Sequence, residues 1–288
     1  MTQRKHACRI RVGTSGYSYN EWTEAGFYPP GTTGAGMLPY YSSVFGITEL
    51  NYTWYQMPRA EAIDRMQKTA GIDFMFAAKL TRTLTHEIEA KKWEGEAARF
   101  RDGIAPLVQS GRLAAVLVQL PPFFGRTTVN RRYLAALLER LDPLPVAVEF
   151  RNDSWATQRV FDGLAARNVA LAAVDAPELP GLFPPVGVLT CHDFFYVRFH
   201  GRNAAGWRSG SMQSQFDYDY AETELSGWVE GRIAPMAARA RAGFVFFNNH
   251  VRAQAPGNAR TMIRLLSDAG LAVAGGSRSR PAGERFGI

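Results

Sequence analysis

The feature that most limits what this chain can fold into is a series of eight short apolar runs, most of them followed by a helix-like segment. The runs cover residues 9–13, 47–53, 74–79, 114–120, 146–151, 170–175, 196–200 and 244–248. Each is apolar or β-branched and has the length of a strand. Helical patterning follows over 37–45, 59–70, 93–109, 129–141, 154–167, 220–241 and 258–269. In 154–167 the residues Trp155, Val160, Phe161, Leu164 and Ala165 repeat at helical spacing, and Ser154 is placed to cap them. The stretch APELPGLFPPVG after the sixth run holds too much Pro and Gly for a helix, so a degenerate turn is expected there.

Buried strands alternating with helices predict a parallel sheet under helical cover. Eight repeats, rather than five or six, favour closure into an α/β (β/α)8 TIM-like barrel over an open sheet. One barrel domain is expected over residues 1–274, with a flexible basic tail over 275–288.

Charge enters the argument through its position. The net charge is +7, but six of those charges fall in residues 1–11 and 275–288, leaving the body nearly neutral. The basic total is therefore weak grounds for a nucleic-acid or membrane partner. No apolar run approaches the ~20 residues that span a bilayer. Residues 1–13 lack the apolar stretch of a secretory signal, and Cys8 and Cys191 make neither a disulfide framework nor a zinc set. A reducing cytoplasm is the expected location.

In a parallel barrel the chemistry gathers where strands end. Here those ends are polar: Thr14, Ser15 and Tyr17 after run one; Glu49, Asn51, Thr53 and Tyr55 on run two; Lys79; Gln119; Glu149 and Arg151; Asp175; Arg198 and His200; Asn248 and Asn249. Strand side chains alternate, so Glu49, Asn51, Thr53 and Tyr55 share a face, as do Glu149 with Arg151 and Arg198 with His200. Helices cover the apolar outer face, so the polar alternates are expected to point into the barrel. A lone buried ion pair would be structural. Charges from five strands imply a pocket.

The segments GTSGYSYNEW, ELNYTWYQMP, KLTRTLTHE, VQLPP, VEFRNDSW, VRFHGR and FNNH occur in this order. Together they resemble the YecE-like family, also called domain of unknown function 72, over residues 9–266. The resemblance implies a TIM-barrel-like fold and no particular reaction. It carries over to Gly13, Thr14, Ser15, Gly16, Tyr17, Trp22, Glu49, Asn51, Thr53, Tyr55, Lys79, Thr85, His86, Glu87, Gln119, Pro121, Pro122, Glu149, Arg151, Ser154, Trp155, Asp175, Arg198, His200, Gly201, Asn248 and Asn249. Tyr17, where the family commonly has Trp, and His250, after the Asn pair, depart from the pattern.

The expected function is an enzyme acting on a small, polar, anionic, sugar-like substrate bearing phosphate or carboxylate. Its catalytic set is Glu49, Lys79, Glu149, Arg151, Asp175, Arg198 and His200. The two glutamates would move protons, with Lys79, Arg151, Arg198, His200 and Arg82 as the cationic side. Thr14, Ser15, Tyr17, Asn51, Thr53, Tyr55, His86, Gln119, Trp155, Asn248 and Asn249 would bind substrate. Tyr17, Tyr55 and Trp155 are the aromatics assigned to the pocket, and the other loop aromatics are assigned to packing. No cofactor is expected. A divalent metal on Glu149, Asp175 and His200 is the less favoured option, because Arg151 and Arg198 interleave with those ligands. A Schiff-base lysine is set aside, since neighbouring carboxylates would raise the pKa of Lys79. Nucleic-acid binding and non-catalytic ligand sensing are the rival readings.

Overall fold

The computed structural model describes residues 7–276. Its strands are β1 (Arg9–Ser15), β2 (Ile47–Leu50), β3 (Met75–Lys79), β4 (Leu113–Gln119), β5 (Val146–Glu149), β6 (Ala170–Asp175), β7 (Phe194–Phe199) and β8 (Ala242–Phe247). All neighbours pair in parallel and in chain order, and β1 pairs with β8 to close the barrel. Helices Gly34–Val44, Ala60–Thr69, Trp93–Gln109, Thr128–Leu141 and Gln158–Ala165 follow β1 to β5. No helix joins β6 to β7, as the Pro- and Gly-rich stretch predicts. The β7–β8 connection carries two short turns, Ala204–Arg208 and Met212–Gln215, before the helix Glu222–Trp228. Helix Gln254–Asp268 follows β8.

Alternation sorts each strand into two faces. Ile47, Ala77, Ala115, Leu117, Ala147, Ala172, Val174, Phe194, Tyr196, Phe244 and Phe246 pack inside the barrel. The filling is lopsided: alanines on β3 to β6 leave the room that the aromatic rings of β7 and β8 occupy. The outer alternates pack under the helices in two clusters, one including Val12, Val197 and Val245 and the other Val116, Val118 and Val148. Gly13 is demanded by the close approach of β1 to β2, since a Cβ there would sit 1.9 Å from the Ile47 carbonyl oxygen.

Two expectations change. β2 stops at Leu50, and Tyr52–Tyr55 is a helical turn instead of strand. Thr53 Oγ1 lies within hydrogen-bond distance of the Leu50 and Lys79 carbonyls, which folds the chain back and removes the shared face expected of residues 49–55. Ser154 sits in a 3-10 turn, Asp153–Trp155, where its backbone N–H donates to Asn152 Oδ1; it does not cap the following helix. At the C-terminal end Val273 bridges Ile10, and Gly275 lies against Gly46. Residues 277–288, the bulk of the expected tail, lie outside the described residues, as do Arg4 and Lys5. No helix among the described residues is long and apolar enough to cross a membrane.

Candidate active site

The last inward positions of β1 to β5 and of β7 are polar, whereas β6 and β8 end inside on Val174 and Phe246, and at the C-terminal mouth those of β2, β5 and β7 form one connected cluster. Arg198 on β7 is its centre. Its Nη1 donates to Glu149 Oε2 and its Nη2 to Glu49 Oε1, both at 2.6 Å. Glu49 Oε2 accepts from the Tyr196 hydroxyl at 2.6 Å. Glu149 Oε1 accepts from Arg151 Nε at 2.5 Å. Glu49, Glu149, Arg198 and His200 are all essentially inaccessible to water. Charges so placed persist only when paired and hydrogen-bonded, and here each carboxylate oxygen has a donor. Burial pushes Glu149 toward the neutral form, but Arg198, Arg151 and His200 together outweigh it and hold the carboxyl well below its ordinary range.

His200 Nε2 lies 3.1 Å from Arg151 Nη2 and 3.2 Å from Glu149 Oε1. Burial and the Arg151 charge lower its pKa to about 3, so the ring is neutral near pH 7. A neutral ring donates at one nitrogen and accepts at the other: with its proton on Nε2 it donates to Glu149 Oε1, and Nδ1 accepts from Asn248 Nδ2 at 3.1 Å.

Lys79, the last inward residue of β3, stands apart. Its ammonium enters no ion pair and no hydrogen bond among the described residues and lies 5.0 Å from the centre of the Trp54 ring. Burial and Arg198 favour its neutral form, Glu49 and Glu149 oppose them, and the balance lowers the pKa to about 7. The expected upward push from the carboxylates is outweighed, because those carboxylates are already neutralised by arginine. His86 sits on the rim with its ring 4.9 Å from Trp54 and 6.2 Å from Phe123. Burial, Lys79 and Arg151 lower its pKa to about 4.

Glu49, Lys79, Glu149, Arg151, Arg198 and His200 are thus brought together, with Ser15 Oγ 3.4 Å from Arg198 and with Asn248. Gln119 lies beside Glu149 in the β4–β5 register, at the same level. Asn51 follows β2 with its Oδ1 buried and unpartnered. Tyr55 is exposed on the rim, where its hydroxyl reaches Met212 of the β7–β8 connection at 4.0 Å.

Asp175 is not in this cluster. It follows Val174, which faces inward, so it faces out, and its carboxylate accepts from Arg202, Tyr220 and Trp228 Nε1. Thr14 also faces out, 2.7 Å from the Tyr41 hydroxyl, and Tyr17 packs beside that same ring. Trp155 stacks on Phe150 and donates to the Phe124 carbonyl outside the barrel. Asn249 ties Tyr218 to Asn258 in the outer layer. Thr53 is spent on backbone carbonyls, and Arg82 pairs with Glu87 at the surface.

Three residues were missed. Tyr196 fixes Glu49, Trp54 faces Lys79, and Trp207 lies 5.2 Å over the Arg151 guanidinium. Alternation from Arg198 back to Tyr196 was signal enough for the first. The two tryptophans sit on turns, where no periodicity reports direction.

The metal set of Glu149, Asp175 and His200 is divided by the barrel wall. Among the described residues no three His, Cys, Asp or Glu side chains are grouped as ligands. Two surface clefts lie away from the mouth. One, of about 490 Å³, is bounded by Met57, Arg59 and Arg99; the other, of about 190 Å³, by Leu134, Trp155 and Leu164. Neither collects the polar ends of several strands.

Comparison with known proteins agrees with this architecture. The UPF0759 protein YunF of Bacillus subtilis (strain 168) is 29% identical over 271 residues, covering 89% of this chain and 94% of that protein. The UPF0759 protein YecE of Escherichia coli (strain K12) is 28% identical over 176 residues, covering 58% of this chain and 59% of that protein. The crystal structure of a DUF72 family protein from Thermotoga maritima MSB8 is similar with a TM-score of 0.82 and 33% identity, covering 90% of this chain and 99% of the other. One from Enterococcus faecalis V583 has a TM-score of 0.80 at 28% identity, covering 90% and 95%. The family described as protein of unknown function DUF72 matches residues 11–284. The eight-stranded barrel described above is therefore that of a DUF72 protein: the chain belongs to this family of unknown function.

Proposed function

We propose that the chain is an enzyme acting on a small, polar, anionic molecule at the C-terminal mouth of its barrel. The observation that carries this reading is the charge balance of the mouth. Glu49 and Glu149 are matched by Arg198 and Arg151, and His200 is neutral, so Lys79, which is only partly buried, is left as one unmatched cation. One unmatched cation among fixed dipoles selects one anionic group. Lys79 Nζ meets the anion. Gln119 and Asn51 supply amide groups for hydroxyls, and Trp54, Tyr55 and Trp207 wall the opening.

Acid–base chemistry then falls to Lys79 rather than to the two glutamates. Every oxygen of Glu49 and Glu149 already accepts a strong hydrogen bond, and a carboxylate so held is a poor proton carrier. A lysine that titrates near neutrality is matched to the task. The glutamates and arginines hold the field in which it works.

The test uses the protein labelled with 13C at lysine Cε and titrated with inorganic phosphate and with acetate. One resonance, assigned to Lys79 by its loss in Lys79→Met, should titrate near pH 7 and move up when either anion binds. If Lys79 titrates like a surface lysine and neither anion moves it, the reading fails.

A further inference from the structure

The chain contains 28 arginines and five lysines: Lys5, Lys68, Lys79, Lys91 and Lys92. Inside the barrel the fixed cations are arginines, bound to carboxylates at 2.5 and 2.6 Å. Arginine is the better group for clamping an anion, since it is always charged and offers a planar fork. Lysine has one property arginine lacks: it can lose its proton and become a nucleophile. Lys79 stands at the end of β3, facing the mouth, with no partner among the described residues to hold it protonated or block its nitrogen.

We infer that Lys79 is a covalent catalytic residue, and that the substrate is an aldehyde or ketone bearing a carboxylate or phosphate, captured as an imine. The inference rests on the proposed function of the mouth and deepens it. In the first step the neutral Nζ attacks the carbonyl carbon. A C–N bond forms, and the C=O π pair moves to oxygen, which takes up a proton. The carbinolamine then loses that oxygen as water while Nζ gives up its hydrogens, and C=N forms. One water leaves for each carbonyl bound, and nothing is oxidised or reduced. Protonated, the imine is an electron sink for the bonds next to the former carbonyl.

The surroundings fit these steps. Arg198, Glu149 and Glu49 are locked to each other and cannot fold over Nζ. The Trp54 ring gives the cationic imine a π face at the place where it now meets the ammonium. His86, neutral at pH 7, lies edge-on to that ring with Nδ1 accepting from Trp54 Nε1, and its other nitrogen would relay the proton that the departing water needs. The substrate's anionic group, drawn in by the Lys79 ammonium, would settle toward Arg151 once Nζ has given up its proton, since Arg151 Nη1 has no assigned partner and its face is roofed by Trp207.

The experiment is reductive trapping on the full chain. The protein is incubated with glyoxylate and cyanoborohydride from about pH 6 to about pH 9, then mapped by mass spectrometry over its five lysines. Lys79 should be labelled at least about tenfold faster than Lys68, Lys91 or Lys92 at neutral pH, because far more of it is unprotonated. Its rate should be half-maximal near pH 7. Phosphate should slow labelling of Lys79 alone. Lys79→Arg, checked for folding by circular dichroism, should abolish the fast phase. Labelling of Lys79 no faster than of Lys68 overturns the inference. If phosphate still moves the Lys79 resonance in that case, the imine is wrong and the anion site stands. If it does not, both fall.

Discussion

Two buried carboxylate–arginine clusters lie on opposite faces of the β6–β7 wall. Inside, Glu149 and Glu49 hold Arg198 and Arg151, with Tyr196 as a further donor. Outside, Asp175 holds Arg202, Tyr220 and Trp228, and Arg202 reaches on to Glu224. The ingredients are the same. The outer cluster is closed: its tyrosine hydroxyl also accepts from the Gly201 N–H, so it fixes the turn just beyond His200. Gly201 is at φ 89°, where a Cβ would meet Tyr218 at 2.6 Å, and the turn is correspondingly tight. The inner cluster satisfies every oxygen of its two carboxylates, but it leaves Arg198 Nε without an acceptor and Lys79 beside it unmatched. The paired groups build the scaffold; the residue they leave out is free to meet a substrate.

The sharpest way to break this comparison is to remove the hub of the inner cluster. Arg198→Met leaves Glu49 buried without a counter-charge and Glu149 with Arg151 alone, and should cost about 3–5 kcal/mol of stability by chemical denaturation. Acid should mimic it in part. Glu149 has a folded pKa depressed below its unfolded value, so its contribution is present above about pH 4.3 and lost as pH falls through the folded pKa. A variant as stable as the parent would show that the cluster is not a structural unit.

Asp175→Ala tests the outer cluster. It strands Tyr220, Trp228 Nε1 and Arg202, and should cost about 2–3 kcal/mol. Some of the loss is recovered because Arg202 is partly exposed and can turn to water or Glu224. The pKa of Lys79, read by 13C resonance, should stay within about half a unit of the parent. A larger move would mean that the two faces of the wall are coupled and that Asp175 positions the mouth.

Much of this was legible in the sequence, and the failures are instructive. The barrel followed from eight repeats of buried strand and helix. The inner cluster followed from alternation on β2, β5 and β7, because Ile47–Leu50, Val146–Glu149 and Phe194–Phe199 are strands to their last inward residue. Asp175 was misplaced because a position at the strand end was weighed without its parity: Val174 before it takes the inner face. Residues 51–55 were misplaced because a helical turn began one residue after Leu50, and no apolar period announces a four-residue turn. Trp155 and Trp54 exchanged roles for a related reason. Trp155 follows outward-facing Phe150 and stacks on it, whereas Trp54 is carried by the turn toward β3.

The smallest effect, and the one with the most informative sign, belongs to Lys79→Met. Most substitutions at a barrel mouth destabilise; this one should stabilise, by about 1–2 kcal/mol at neutral pH, after allowing for the partial solvation of the lysine head. The folded pKa is about 7 and thus below the unfolded value. The cost of carrying the ammonium is therefore present in full below the folded pKa, shrinks as pH rises above it, and is gone above the unfolded pKa of about 10.4. Thermal melts of parent and variant should accordingly differ most at and below neutral pH and converge toward pH 10. A gain in stability on deleting a residue is the mark of a group kept for chemistry at the expense of the fold. Were the methionine variant instead less stable at every pH, Lys79 would be one more strut of the inner cluster, and the contrast between the two faces of the wall would collapse.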